Sequence, residues 1–385
     1  MDPVPSALAR SRAVGHERSC SDRLPDEGLL LRQGQTAKKR GLQPARVAQV
    51  AIALGVVGVI FVYFLPRIVD FGEVWATIRA MTWLELATLA ALAAWNQATY
   101  VLVEMSARPG LGFGQALKIT QTSTAVTNTL PGGAALGAGL QSAMYVSYGF
   151  APPDIAISLT LTGTWNTFAK LGMPIVALAL LAIGGQANGG LVAVSVIGLG
   201  ILVGAIFAFA IVLRSERGAS VVGRRLGALV TFMARFLRRC SRADWATAAV
   251  DFRRRIIELL RTQWAALTVA TVISHITLYL VLLLALRHVG VSNDAVGWQQ
   301  ALASFAFVRL LSAVPITPGG LGVVELGLTA TLVAAGGEEA LVVAAILIYR
   351  LLTFVLPIPV GAISYVLWRR ELTRRPRNTI LTASK

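Results

Sequence analysis

From position 47 onward the chain alternates long apolar runs with short polar or basic segments. Runs at 47–66, 83–105, 154–183, 191–213, 265–286 and 340–368 reach the roughly 18 to 20 residues needed to span a bilayer. Two regions break the pattern. Residues 113–130 are short and polar, with Gln115, Lys118, Gln121 and Asn128 among serines and threonines. They end at Pro131-Gly132-Gly133, and a glycine-rich stretch to position 150 follows. Residues 296–314 lead in the same way to Pro315-Ile316-Thr317-Pro318-Gly319-Gly320, followed by an apolar stretch to 335 that carries Glu325. Proline ends a helix and removes a backbone donor. At membrane depth such a break survives only where it is buried in protein or faces a water-filled cavity. The expected fold is therefore all-α: a polytopic membrane helix bundle with two re-entrant, broken-helix hairpins, near 113–150 and 296–336.

The two hairpins belong to a longer correspondence. Gly114-Gln115-Ala116-Leu117 resembles Gln299-Gln300-Ala301-Leu302, and Leu130-Pro131-Gly132-Gly133 resembles Thr317-Pro318-Gly319-Gly320. Trp165-Asn166, with Pro174 after it, resembles Tyr349-Arg350 with Pro357 or Pro359. The offset stays between about 183 and 187, as an internal duplication would give. If each hairpin returns the chain to its starting side, the halves face opposite ways. Inverted repeats with broken helices are a transporter architecture, with the substrate path where the repeats meet. A duplicated bundle without a transport role is the plainer alternative.

Charge fixes the orientation. The formal net charge is +16, from 35 Lys+Arg against 19 Asp+Glu, and it is concentrated outside the apolar runs. Nine Lys/Arg lie in residues 1–46, twelve Arg against four acids in 214–263, and six Lys/Arg against one acid from 369 on. The positive-inside rule puts all three in the cytoplasm, and with them Cys20 and Cys240 as free thiols. This distribution favours anionic lipid over nucleic acid as the basic partner. The domain reading is a disordered cytoplasmic tail (1–46), a first membrane half (47–213), a basic loop with an amphipathic helix at 252–261 (214–263), a second membrane half (264–369) and a basic tail (370–385). The segment 67–82 reads as mildly amphipathic, lying along the outer interface. The expected location is a bacterial-type inner membrane, with no cleavable signal peptide.

Pro315-Ile316-Thr317-Pro318-Gly319-Gly320-Leu321-Gly322-Val323-Val324-Glu325 resembles the signature of the lysylphosphatidylglycerol synthase transmembrane region, a flippase-like group also called UPF0104. The resemblance covers about residues 45–370. It implies movement of an aminoacylated phospholipid between leaflets, the lipid being made by a separate soluble C-terminal domain. The chain stops at Lys385, so aminoacyl transfer is not expected of it. In the first half, residues 137–141 lack the basic residue of the usual motif.

Charged residues inside apolar segments are costly and face a cavity or one another. Arg309, Glu325 and Arg350 are the deep charges of the second half. They are read as an ion pair locking the hairpin, as a cleft for a phosphate or zwitterionic headgroup, or as both. Lys170 is the deep first-half cation, with Asn166 one turn earlier on its face. The tips, Pro131, Gly132 and Gly133 and Pro318, Gly319 and Gly320, either pack backbones closely or offer amides to an anion. Lys118 is read as reaching to the interface, and His275 as a packed or hydrogen-bonded helix residue. HExxH, GxSxG, Walker and Cys/His patterns are absent. No enzyme activity, cofactor or metal is expected. The functional expectation is transfer of a phospholipid or lipid-linked headgroup across the membrane, the lipid being anionic, aminoacylated or polyprenyl-linked. The alternatives are a scaffold that recruits a lipid-modifying enzyme through the basic loop, and a small-solute secondary transporter.

Overall fold

The structure is a computed structural model that describes residues 71–130, 132–185, 189–215, 245–312 and 318–374. The expected first span, both termini, Pro131 and most of the basic loop lie outside the described residues. Every described element is helical: α1 (Phe71–Ala80), α2 (Trp83–Ala107), α3 (Phe113–Thr129), α4 (Gly133–Ser147), α5 (Pro152–Ile183), α6 (Gly189–Arg214), α7 (Trp245–His288), α8 (Trp298–Leu311), α9 (Val323–Ala334), α10 (Glu339–Arg350) and α11 (Pro357–Arg374). Four stretches are long and apolar enough to cross a membrane: Trp83–Ala107, Pro152–Ile183, Thr247–His288 and Glu339–Arg374. The protein is a multi-pass membrane helix bundle.

Local chemistry sets the helix ends. At the start of α2 the Thr82 amide donates to Glu85 Oε2 (2.7 Å) and the Glu85 amide to Thr82 Oγ1 (3.3 Å), a reciprocal cap. Pro152 and Pro153 open α5, where a missing N–H costs nothing. Two helices start alike at an offset of 185 residues: the Gly112 amide donates to Gln115 Oε1 (3.1 Å) and the Gly297 amide to Gln300 Oε1 (2.8 Å). These are the stretches whose sequences match.

The helices flanking the two Pro-Gly-Gly segments are short. α3 has 17 residues, α4 15, α8 14 and α9 12. At about 1.5 Å rise per residue none reaches the ~30 Å of a hydrocarbon core. α3 packs on α4, and α8 on α9. Each first hairpin helix then leans on the long helix of the other half: α3 on α11, and α8 on α5. α2 and α7 pack against each other at the centre. The α3–α11 crossing is tight, because a Cβ at Gly361 would run into the Gln121 carbonyl and the Ala125 side chain.

Two details differ from the sequence reading. The basic segment 252–261 is helical, but it is no separate surface helix: α7 runs unbroken from Trp245 through the span to His288. Its apolar side is covered by the protein, where Ile256 (3% exposed) packs with Ile157, Leu161 and Leu267. The last span is also not one regular helix. It passes through a π-helical turn at Leu351–Val355, closed by the Leu356 amide on Leu351 O (2.8 Å). The proline pair Pro357 and Pro359 follows, and neither can donate to the turn before it. The segment read as interfacial is present as α1, with Trp75 exposed and the Arg79 guanidinium 4.9 Å from its ring centroid.

Candidate functional site

A cavity of about 690 Å³ opens between α2, α3, α5, α7 and α8, and the Gly132-Gly133 and Gly319-Gly320 tips reach its wall. Its depth follows from the helices that line it. Asn96, Tyr100 and Glu104 recur every four residues on α2 and form one stripe. Thr162, Asn166 and Lys170 do the same at the middle of α5, as do Thr271 and His275 near the middle of the apolar part of α7. The α5 and α7 stripes lie away from the ends of those helices.

Its charge is unbalanced toward positive. Lys170 and Arg309 line the wall and act on each other electrostatically. Neither has an acidic partner among the described residues. Arg309 Nε, buried, has no hydrogen-bond partner among the described residues. Arg350 also lines the cavity, but it is anchored: its Nε donates to Glu325 Oε1 (2.5 Å), its Nη2 to Gly319 O (3.3 Å), and its guanidinium sits 4.2 Å from the centroid of the Phe354 ring. Glu325 therefore pairs with Arg350 and not with Arg309. Its other oxygen accepts from the Gly322 amide (2.7 Å) at the start of α9, so one carboxylate ties the second tip to α10.

The tips themselves are shaped by glycine. Gly132 (φ 66°) and Gly319 (φ 59°) both sit in the left-handed region. A Cβ at Gly133 would come within 2.7 Å of the Val126 carbonyl, and one at Gly319 would strike the Phe354 ring. Pro318 begins the 3-10 turn of the second tip. Asn128 Nδ2 donates to Phe354 O (3.1 Å), which joins the first hairpin to the π turn beside Arg350.

The structure thus gathers Asn166, Lys170, Arg309, Arg350, Gly132, Gly133, Gly319 and Gly320 around one space, with Glu325 held behind Arg350. Lys118 falls elsewhere: it pairs with Glu371 between α3 and α11 and does not simply reach toward solvent. His275 is hydrogen-bonded, as expected, through Nδ1 to Thr271 O (3.0 Å), yet it also forms part of the wall.

Glu104, a polar group of the second span expected to face the bundle, was not among the expected site residues. Glu104 Oε1 accepts from Gln141 Nε2 (2.6 Å) and from the Tyr145 hydroxyl, which places a carboxyl group on the first-half side of the same cavity. The four-residue spacing of Asn96, Tyr100 and Glu104 was the available signal. Outside the cavity, Asp154 accepts from Arg108 (2.9 Å) and Arg255 (3.1 Å), clamping α2, α5 and the basic part of α7.

Residues 47–361 match the family described as the lysylphosphatidylglycerol synthase TM region. A UPF0104 membrane protein of Methanocaldococcus jannaschii is 35% identical over 69 residues, 18% of this chain and 30% of that protein. The chain thus matches well under two thirds of that curated relative's length. With more than four fifths of its helical region inside the match, the chain belongs to the lysylphosphatidylglycerol synthase transmembrane region family.

Proposed function

We propose that the protein moves a phospholipid or a lipid-linked headgroup between the leaflets of a bacterial-type inner membrane. The observation that carries this reading is the pair Lys170 and Arg309, two cations on a cavity wall without acidic partners among the described residues. Burying such charges in a bilayer is expensive, and they persist where a ligand or pathway uses them. An anionic phosphodiester is the complementary ligand: the Arg guanidinium can engage two of its oxygens and the Lys ammonium adds a point charge. The acyl chains would stay in the bilayer while the headgroup crosses through the polar space.

The transport geometry belongs to the same proposal. The halves form an inverted repeat, each folding a re-entrant hairpin toward the centre with both termini cytoplasmic. The reciprocal packing of α3 on α11 and α8 on α5, and the shortness of the hairpin helices, support it. Movement between inward- and outward-open forms would then be a rocking of one half against the other about the α2–α7 contact.

The test is leaflet exchange of labelled phospholipids in proteoliposomes. Wild-type protein should exchange anionic phospholipid faster than protein-free vesicles do, and Lys170→Ala with Arg309→Ala should bring the rate back toward that background. Exchange indistinguishable from protein-free vesicles across anionic, zwitterionic and polyprenyl-linked lipids would reject the proposal.

A further inference from the structure

We infer that the headgroup carried by this cavity is an anionic phosphodiester bearing free hydroxyls, a polyol or sugar, and no ammonium group, with His275 reading a hydroxyl. The inference rests on the translocation reading and names its substrate class. Three observations carry it.

The first is the tautomer of His275. Thr271 O is a carbonyl and can only accept, so the 3.0 Å bond requires Nδ1 to carry the hydrogen. Nε2 is then a bare acceptor. It is buried, on a residue 3% exposed, and has no partner among the described residues. On α8, Arg309 Nε is a buried donor that likewise has none, and both residues line the cavity. A buried donor or acceptor left unpaired is destabilising, so a ligand that pairs both is favoured. A headgroup hydroxyl can both accept from Arg309 and donate to His275. Ser274 beside it is 1% exposed, lines the cavity and leaves its own Oγ unpartnered.

The second is the character of the remaining wall. Uncharged hydrogen-bonding side chains are spread over it, including Gln97, Thr120, Thr124, Thr162, Asn166 and Thr353. Such amide and hydroxyl groups both donate and accept, as sugar and polyol recognition requires. An aliphatic quaternary ammonium has no N–H and would use none of them.

The third is charge. An ammonium in this space would meet Lys170 and Arg309. Glu325 is engaged by Arg350, and one oxygen of Glu104, Oε1, by Gln141 and Tyr145. A primary amine therefore faces two like charges beside a single partly engaged carboxyl group. The other titratable groups on the wall are Tyr100 and Tyr349, which leaves the balance positive.

The experiment uses full-length protein and two readouts. In proteoliposomes, exchange is compared for phosphatidylglycerol, phosphatidylcholine and lysyl-phosphatidylglycerol with wild type, His275→Leu and His275→Gln. In detergent, calorimetry measures binding of glycerophosphoglycerol and of glycerophosphocholine. The expected result is a preference of roughly tenfold for the glycerol headgroup in both readouts, the size of one or two net hydrogen bonds. His275→Leu should remove most of that preference and His275→Gln, which keeps an acceptor, should restore part of it. Equal rates for the three lipids, a preference for the lysyl lipid, or a wild-type preference surviving in His275→Leu would overturn the inference and leave translocation standing. Selective binding of glycerophosphoglycerol with no exchange of any lipid would instead overturn translocation.

Discussion

The Glu325–Arg350 pair gives the sharpest energetic prediction. The two side chains are 13% and 11% exposed and meet at 2.5 Å, so little solvent screens them. Removing one partner of a buried pair typically costs about 3 to 5 kcal/mol, because the other charge stays desolvated. Arg350→Met leaves Glu325 with the Gly322 amide alone, and the full range is expected. Glu325→Ala also strips the start of α9 of its cap, which adds about 1 kcal/mol, although Arg350 keeps Gly319 O and the Phe354 ring. Glu325→Gln keeps an acceptor for only one of the two donors, its NH2 facing the other, and should cost about 2 to 3 kcal/mol. The combined Glu325→Leu, Arg350→Met variant should recover most of the loss, with a coupling of about 2 to 3 kcal/mol in the double-mutant cycle. The assay is reversible unfolding in mixed micelles, followed by tryptophan fluorescence. Additive single losses, with coupling below about 0.5 kcal/mol, would refute the idea that this pair locks the second tip.

Other outcomes follow from the same geometry. Lys170→Met should raise the thermal midpoint while lowering exchange of anionic lipid, since it removes a buried like-charge contact; equal falls in both would make Lys170 a structural residue. Gly319→Ala should lose folded yield, because φ is positive and the Cβ meets Phe354, and Phe354→Ala in the same chain should relieve the steric part. Gly361→Val should disrupt the α3–α11 crossing and drop detergent-stable protein, whereas Glu371→Ala, on a side chain 43% exposed, should change the unfolding midpoint little.

Much of the bundle was legible because bilayer spans announce themselves by apolar length, and the hairpins by Pro-Gly-Gly. Asn166 and Lys170 could be placed on one face from their spacing alone. The partner of Glu325 could not, because Arg309 and Arg350 are both about one segment away and only the packing of α9 on α10 chooses. The continuity of α7 was hidden by composition: its arginines look like a solvated loop, while Ile256 and Leu267, both buried, show one helix carrying two environments. The π turn was also unreadable, since prolines mark a disturbance without saying which hydrogen-bond pattern absorbs it. His275 is hydrogen-bonded, as its sequence context suggests, but its place on the cavity wall was not legible. A lone histidine on an apolar face is satisfied at one nitrogen by its own helix, and sequence does not tell where the other nitrogen points.

Where the headgroup travels is tested most directly by photocrosslinking. A photoreactive amino acid is placed at Asn166 on the cavity wall, or at Phe207, an exposed position on α6, in protein reconstituted with headgroup-labelled phosphatidylglycerol. Labelling at 166 that falls when Lys170 and Arg309 are both replaced by alanine is the predicted result. Headgroup capture at neither position, or at 166 regardless of the two cations, would contradict the account.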